Sequence, residues 1–204
     1  MFKPMLFNTE MVRAILDGRK TQTRRIIKTA DGVPLSEHSD TAARRFISMS
    51  NAVCKAPCET GDILWVRETW STHYDGIHDD LQFCYRADDV NLKSECLPGE
   101  NNRWWPSIHM PKDAARIFLC VKDVRVEHLD DMRLADFLKE GVRLTCQEEG
   151  NLALAGLRAR ERFAEVWDDT IKPADLPKYR WDANPWVWVI EFERIEKPEG
   201  WPKA

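Results

Sequence analysis

The segment GDILWVRETW, Gly61 to Trp70, decides how the rest of the chain is read. Gly-Asp is a turn signal. After it Leu64, Val66, Glu68 and Trp70 alternate with Ile63, Trp65, Arg67 and Thr69, the two-residue period of a strand. Toward the N-terminus lies an irregular polar insertion at about residues 28–60. Before it, Thr9 to Asp17 predicts a helix: Asn8 or Thr9 caps it, Glu10 sits in the first turn, and Gly18 ends it. Met11, Val12, Ile15 and Leu16 form its apolar face. Toward the C-terminus, LQFCYRA (81–87) predicts another strand, and a loop around Pro98 to Asn102 leads into RWWPSIHMP (103–111). RIFLCVKDVRVEHL (116–129) is a long β-prone run. Asp130 or Asp131 then caps a helix through MRLADFLKE, ended by Gly141. LALAGLRARERFAEVWDDTI (152–171) predicts a further helix with Leu157, Phe163, Val166 and Trp167 inward. PWVWVIEFERIE (185–196) closes as a strand whose Trp186 and Trp188 pack the core. No regular β-α alternation is present, so the class is α+β, and a small, mostly antiparallel β-barrel with flanking helices fits the order.

The chain has 204 residues, enough for a single domain spanning 1–204 with a sizeable core. It is 43% hydrophobic and 31% charged, which excludes wholesale disorder. No apolar run is long enough to span a bilayer, so no membrane partner is expected. The opening MFKPMLFNTEMV breaks any signal-peptide pattern with Pro4 and Glu10, so a cytoplasmic location is expected. Cys54, Cys58, Cys84, Cys96, Cys120 and Cys146 then read as reduced thiols. Cys54 and Cys58, with His38, His73 and His78 nearby in sequence, offer zinc-type ligands, but the spacing is loose and no second pair follows. The reading is therefore no metal and no cofactor.

The densest charge lies in GRKTQTRR, Gly18 to Arg25: four basic residues within seven positions, on a chain of net charge −4. The guanidinium forks of Arg24 and Arg25 match phosphate oxygens, and Arg19 and Arg67 add local positive charge. Such a patch on an acidic protein selects one polyanion geometry, since the rest of the surface repels polyanions. The plainer alternative is a solvated segment neutralised by surplus carboxylates. Trp104 and Trp105 are adjacent, so in extended chain they point opposite ways. One can stack on an unpaired base, worth about 1–3 kcal/mol; alternatively both anchor a loop. Glu68 ends an apolar strand face, where a carboxylate is costly unless paired. It either holds a basic side chain of the 18–25 segment or acts as a general acid.

Gly18-Arg19-Lys20-Thr21-Gln22-Thr23-Arg24-Arg25 resembles the G-x-K-x-x-x-x-R signature of the ASCH family, within the PUA-like superfamily. The preceding helix, GDILWVRETW, and the KEGV segment (139–142) follow the same order. RWWPSIHMP and WDANPWVWVIEFERI are similar to the longer members found in phages and prophages. The resemblance implies a PUA-like barrel whose cleft, between the first helix with its signature and the VRE strand, binds single-stranded RNA, a nucleoside or a nucleotide. Some members are amidohydrolases on N4-acetylcytidine and others ribonucleases, both metal-independent here by implication. The hydrolases carry a threonine where this chain has Thr23, and their pattern places Lys20, Thr23 and Glu140 as catalytic lysine, threonine and glutamate. A lysine at its usual pKa near 10.4 is a poor base at neutral pH, but burial or neighbouring cations lower it. Lys20 is then the base, Thr23 the nucleophile, Glu140 or Glu68 the acid, and Arg25 the anion clamp. Two other classes stay open: a non-catalytic RNA-binding module, and a phage-encoded regulator that docks on an unidentified protein.

Overall fold

The computed structural model describes residues 1–28, 45–47, 53–74, 81–89 and 103–201. Most of the expected insertion, with His38, lies outside the described residues, as do His78, Cys96, the Pro98–Asn102 loop and the side chain of His73. In chain order the elements are β1 (Phe2–Leu6), α1 (Thr9–Leu16), β2 (Gln22–Ile26), β3 (Arg45–Ile47), β4 (Val53–Lys55), β5 (Ile63–Arg67), β6 (Trp70–Tyr74), β7 (Leu81–Tyr85), β8 (Phe118–His128), α2 (Leu134–Lys139), α3 (Cys146–Glu149), α4 (Leu152–Asp169), α5 (Leu176–Tyr179) and β9 (Trp186–Ile195). The class is α+β, as the sequence predicts. The strands form a five-stranded mixed sheet, β1-β5-β8-β9-β2, and two antiparallel pairs, β3-β4 and β6-β7. No closed barrel is present among the described residues. The edge strands β1 and β2 do not pair with each other. The sequence reading did not include β1, which runs parallel to β5, from Phe2 opposite Ile63 to Leu6 opposite Arg67, and makes the sheet mixed.

By contact density the chain divides into two compact units. Unit 1 comprises Met1–Gly18, Asp62–Cys120 and Arg194–Ala204; unit 2 comprises Arg19–Gly61 and Val121–Glu193. In unit 1, α1 has the expected cap: Asn8 accepts from the Met11 N–H at 2.8 Å, and Glu10 sits in the first turn. Val12, Ala14 and Ile15 are buried. Gly18, at φ +73°, ends the helix in the left-handed region that favours glycine. The core here joins Trp65, Ala115, Phe118 and Trp201, with the Phe118 and Trp201 rings edge-on at 4.9 Å.

In unit 2, α4 buries Ala155, Ala159, Phe163 and Trp167, an unbroken i, i+4 stripe. Leu157 and Val166, expected inward, are 54% and 43% exposed. Two alanines take the inward positions because they let the helix approach the aromatic cluster of Phe137, Phe163 and Trp181. Burying a side chain such as Phe163 contributes about 1.5–3 kcal/mol. The second helix also starts later than expected. Asp131 accepts from the His128 N–H in a 3-10 turn, and α2 begins at Leu134, with Asp136 accepting from the Arg133 N–H. Trp188 is buried, while Trp186 is half-buried against the His128 ring at 3.6 Å.

Candidate functional site

The signature segment is where chain direction and burial combine. After Gly18 the chain enters unit 2 and becomes β2, antiparallel to β9, with Thr23 opposite Ile190 and Arg24 opposite Val189. Gln22, Thr23 and Arg24 are all buried, against the expectation of a solvated basic patch. The same segment closes the C-terminal end of α2. The Thr21 N–H donates to the Lys139 carbonyl at 2.9 Å, Lys20 Nζ to the Glu140 carbonyl at 2.9 Å, and Arg19 Nη1 to the Gly141 carbonyl at 2.5 Å. Three consecutive residues thus satisfy three consecutive carbonyls that lack helical partners. Two of the donors are cations at the negative end of the helix dipole.

Glu140, the C-cap of α2, would be misplaced there alone. Its carboxylate takes Lys20 Nζ on Oε2 at 2.5 Å and Arg24 Nη1 on Oε1 at 3.1 Å. The side chains of Lys20, Arg24 and Glu140 are 0%, 1% and 3% exposed. Arg24 Nη2 continues to Glu127 Oε2 at 3.1 Å. Arg125 then bridges Glu127 at 2.5 Å and Glu191 at 2.8 Å. The Gln22 amide fits the same network, its nitrogen toward Glu191 at 3.2 Å and its oxygen toward Arg24. The result is a chain of alternating charge running from a sealed lysine to half-buried groups. Burial pulls the Lys20 ammonium below its usual lysine value, Glu140 pulls it back up, and Arg25 and Arg24 push it further down.

Thr23 is buried beside this network, but strand alternation turns it, with Arg25, to the face opposite Gln22 and Arg24. No hydrogen bond joins it to Lys20, whose ammonium lies on Glu140. Arg25 is half-buried, and its electrostatic neighbours include Glu140 and Cys58. Among the described residues no cluster of three or more His, Cys, Asp or Glu side chains can hold a metal ion.

The other expected residues belong to unit 1. Glu68 is 1% exposed and is held by both oxygens: Arg116 Nε at 2.9 Å and Nη2 at 3.0 Å. Burial pushes its carboxyl up, and Arg116 pulls it down. Arg116 also grips Asp88 at 2.7 and 2.9 Å and lies 3.8 Å above the Tyr85 ring. Arg67 donates to the Ile108 carbonyl and lies 5.4 Å over the Trp65 ring. Trp105 exchanges backbone hydrogen bonds with Trp70 and carries Arg103 over its ring at 4.9 Å. Trp104 lines a cavity with Thr9, Glu10, Arg13, Arg86 and Asp89.

The structure therefore gathers Arg19, Lys20, Arg24 and Glu140 in unit 2, and places Glu68 in a separate clamp in unit 1. Sequence reasoning missed Glu127, Arg125, Glu191 and Arg116. The strand period of VRVEH, which puts Arg125 and Glu127 on one face, was the available signal for the first two. Compared with known proteins, the chain matches no family model, no curated protein and no solved structure.

Proposed function

We propose that the chain is an ASCH-type, PUA-like hydrolase that removes an acyl group from the exocyclic amine of a nucleoside, N4-acetylcytidine or its counterpart within RNA, using its own side chains. The observation that carries this reading is the pairing of Lys20 with Glu140: 120 positions apart in sequence, 2.5 Å apart in space, and sealed from water. A proton passed from the ammonium to the carboxylate yields a neutral amine and a carboxylic acid together, the base and acid that amide hydrolysis requires. Burial pulls the lysine toward its neutral form. The amine takes the Thr23 hydroxyl proton, Oγ attacks the acyl carbonyl, and the C–N bond breaks as Glu140 protonates the leaving amine. Water then cleaves the acyl-threonine ester. On this reading the β2 segment opens to admit substrate, because Thr23 is 1% exposed.

A specific observation favours a second reading. The capping of α2 by residues 19–21 gives Lys20 a structural role that needs no chemistry. The same segment is then part of a non-catalytic RNA-binding module. Lys20→Arg separates the two. It keeps the charge but cannot release a proton near neutral pH. Hydrolysis of N4-acetylcytidine should fall at least about 100-fold, while binding of a labelled single-stranded RNA is retained and Thr23→Ser keeps some activity. Turnover should rise with pH through a value below 10.5, as burial lowers the lysine. Wild-type turnover by Lys20→Arg removes the lysine from the mechanism.

A further inference from the structure

We infer that unit 1 carries a second site: the cavity beside α1 takes one ribonucleotide, with its base on Trp104 and its phosphate on Arg86. The cavity measures about 450 Å³, inside the range of roughly 300–1,000 Å³ of small-ligand sites. Among the described residues, those that line it belong to unit 1. The chemistry of the ligand follows from which lining groups are already engaged.

Trp104 is half-buried, and its ring meets no aromatic or cationic partner among the described residues. Its neighbours differ: Trp105 carries Arg103, and Trp70 packs edge-on against Phe83 at 5.8 Å. An indole lining a cavity suits a planar ligand. Two arginines line the same space. Arg13 is engaged at all three guanidinium nitrogens, donating from Nε to the Ala87 carbonyl at 3.1 Å, from Nη1 to Glu10 Oε1 at 2.6 Å, and from Nη2 to the Arg86 carbonyl and to Asp89 Oδ1. Arg86 is exposed, and its guanidinium forms no ion pair or hydrogen bond among the described residues. It is the cation available to an anionic ligand, and the first turn of the eight-residue α1 adds its positive end through Thr9 and Glu10.

The carboxylates complete the description. Arg13 uses one oxygen of Glu10 and one of Asp89, so a second oxygen on each accepts from a hydroxyl or amine. Asp89 lines the cavity from a left-handed backbone, φ +58°, uncommon outside glycine, that closes the 3-10 turn Arg86–Asp88. A planar group, an anion and hydroxyl donors on one ligand describe a nucleotide. A cationic peptide would meet the free Arg86, and an apolar ligand would meet a charged wall.

The test is titration of AMP into 15N-labelled protein, following the tryptophan indole signals, with adenosine and penta-adenylate as further arms. AMP should bind saturably, perturb the signal that vanishes in Trp104→Phe, and bind at least about tenfold more tightly than adenosine. Trp104→Ala should weaken AMP by about 5- to 150-fold. Arg86→Gln, at an exposed position that leaves folding untouched, should weaken AMP about tenfold and leave adenosine unchanged. Penta-adenylate binding more tightly than AMP assigns the site to a strand end; equal affinity assigns it to the free nucleotide. Lys20→Arg should leave AMP affinity as it is, so this site and the hydrolase reading fail separately. AMP binding no tighter than adenosine, an inert Arg86→Gln, or loss of AMP binding in Lys20→Arg would overturn the inference.

Discussion

Glu140 in unit 2 and Glu68 in unit 1 are both carboxylates sealed from water, and their partners differ in kind. Glu140 shares its oxygens between Lys20 and Arg24. Glu68 gives both oxygens to Arg116. A buried lysine releases its proton readily, whereas a guanidinium does not. Burial lowers the Lys20 ammonium from its usual value, whereas the Arg116 guanidinium stays charged. In the Arg116 clamp, Asp88 and Tyr85 hold the guanidinium on its remaining edge and its flat side; burial pulls it down, and hydrogen bonds to the two carboxylates together raise it above its usual value. The comparison teaches that two buried carboxylates can be neutralised by cations of very different acidity, so burial alone does not distinguish them.

Three substitutions would break or sharpen this contrast. Glu140→Ala leaves Lys20 and Arg24 without their shared anion. Denaturant unfolding should show a loss of about 3–5 kcal/mol. If Lys20 then simply deprotonates, the deficit shrinks as pH rises toward 10.5, because a lysine lowered in the folded state stabilises that state progressively up to its unfolded value. Arg116→Ala should cost less, at most about 3 kcal/mol, since Glu68 escapes by taking up a proton. A carboxyl raised in the folded state contributes fully below its ordinary value and loses that contribution as pH rises through the folded one. The variant's deficit against wild type should therefore be small near pH 4 and largest near pH 8; a deficit flat across that range would refute the assignment of Glu68. Tyr85→Phe is the mildest change. It removes the hydroxyl that donates to the Ala114 carbonyl at 2.7 Å but keeps the ring beneath Arg116. A loss of about 1 kcal/mol is expected, together with loss of a phenol titration pushed up to about 12.

How far the sequence carries depends on the range of the interaction that decides each feature. The caps and period of α1 are local, and Asn8, Glu10 and Gly18 announced them. The strand between Gly61 and Trp70 was legible for the same reason. The inward face of α4 was not, because alanines at 155 and 159 score as weakly apolar and are selected by how closely the helix must approach its neighbours. The short β1, interrupted by Pro4, carried no strand signal of its own and is defined by β5. At the candidate site, Lys20 and Glu140 were named separately from the segments they sit in. Their contact was not derivable from spacing, and neither was the burial of Arg24, since the neutralising Glu127 lies 103 positions away. Charges read as solvent-facing became interior once the tertiary fold supplied counter-charges.

The parallel pairing of β1 with β5 also sets an order of assembly. Its partners are roughly 60 residues apart along the chain, so the entropy of closing that loop is lost before any ladder bond forms. On the ribosome the first strand has no template until residues 63–67 have emerged. Yet β1 can find its partner before any other strand of this sheet, because β8 and β9, on which β5 and β2 depend, lie further along the chain. Until it does, β5 has an open edge that can pair with the wrong strand.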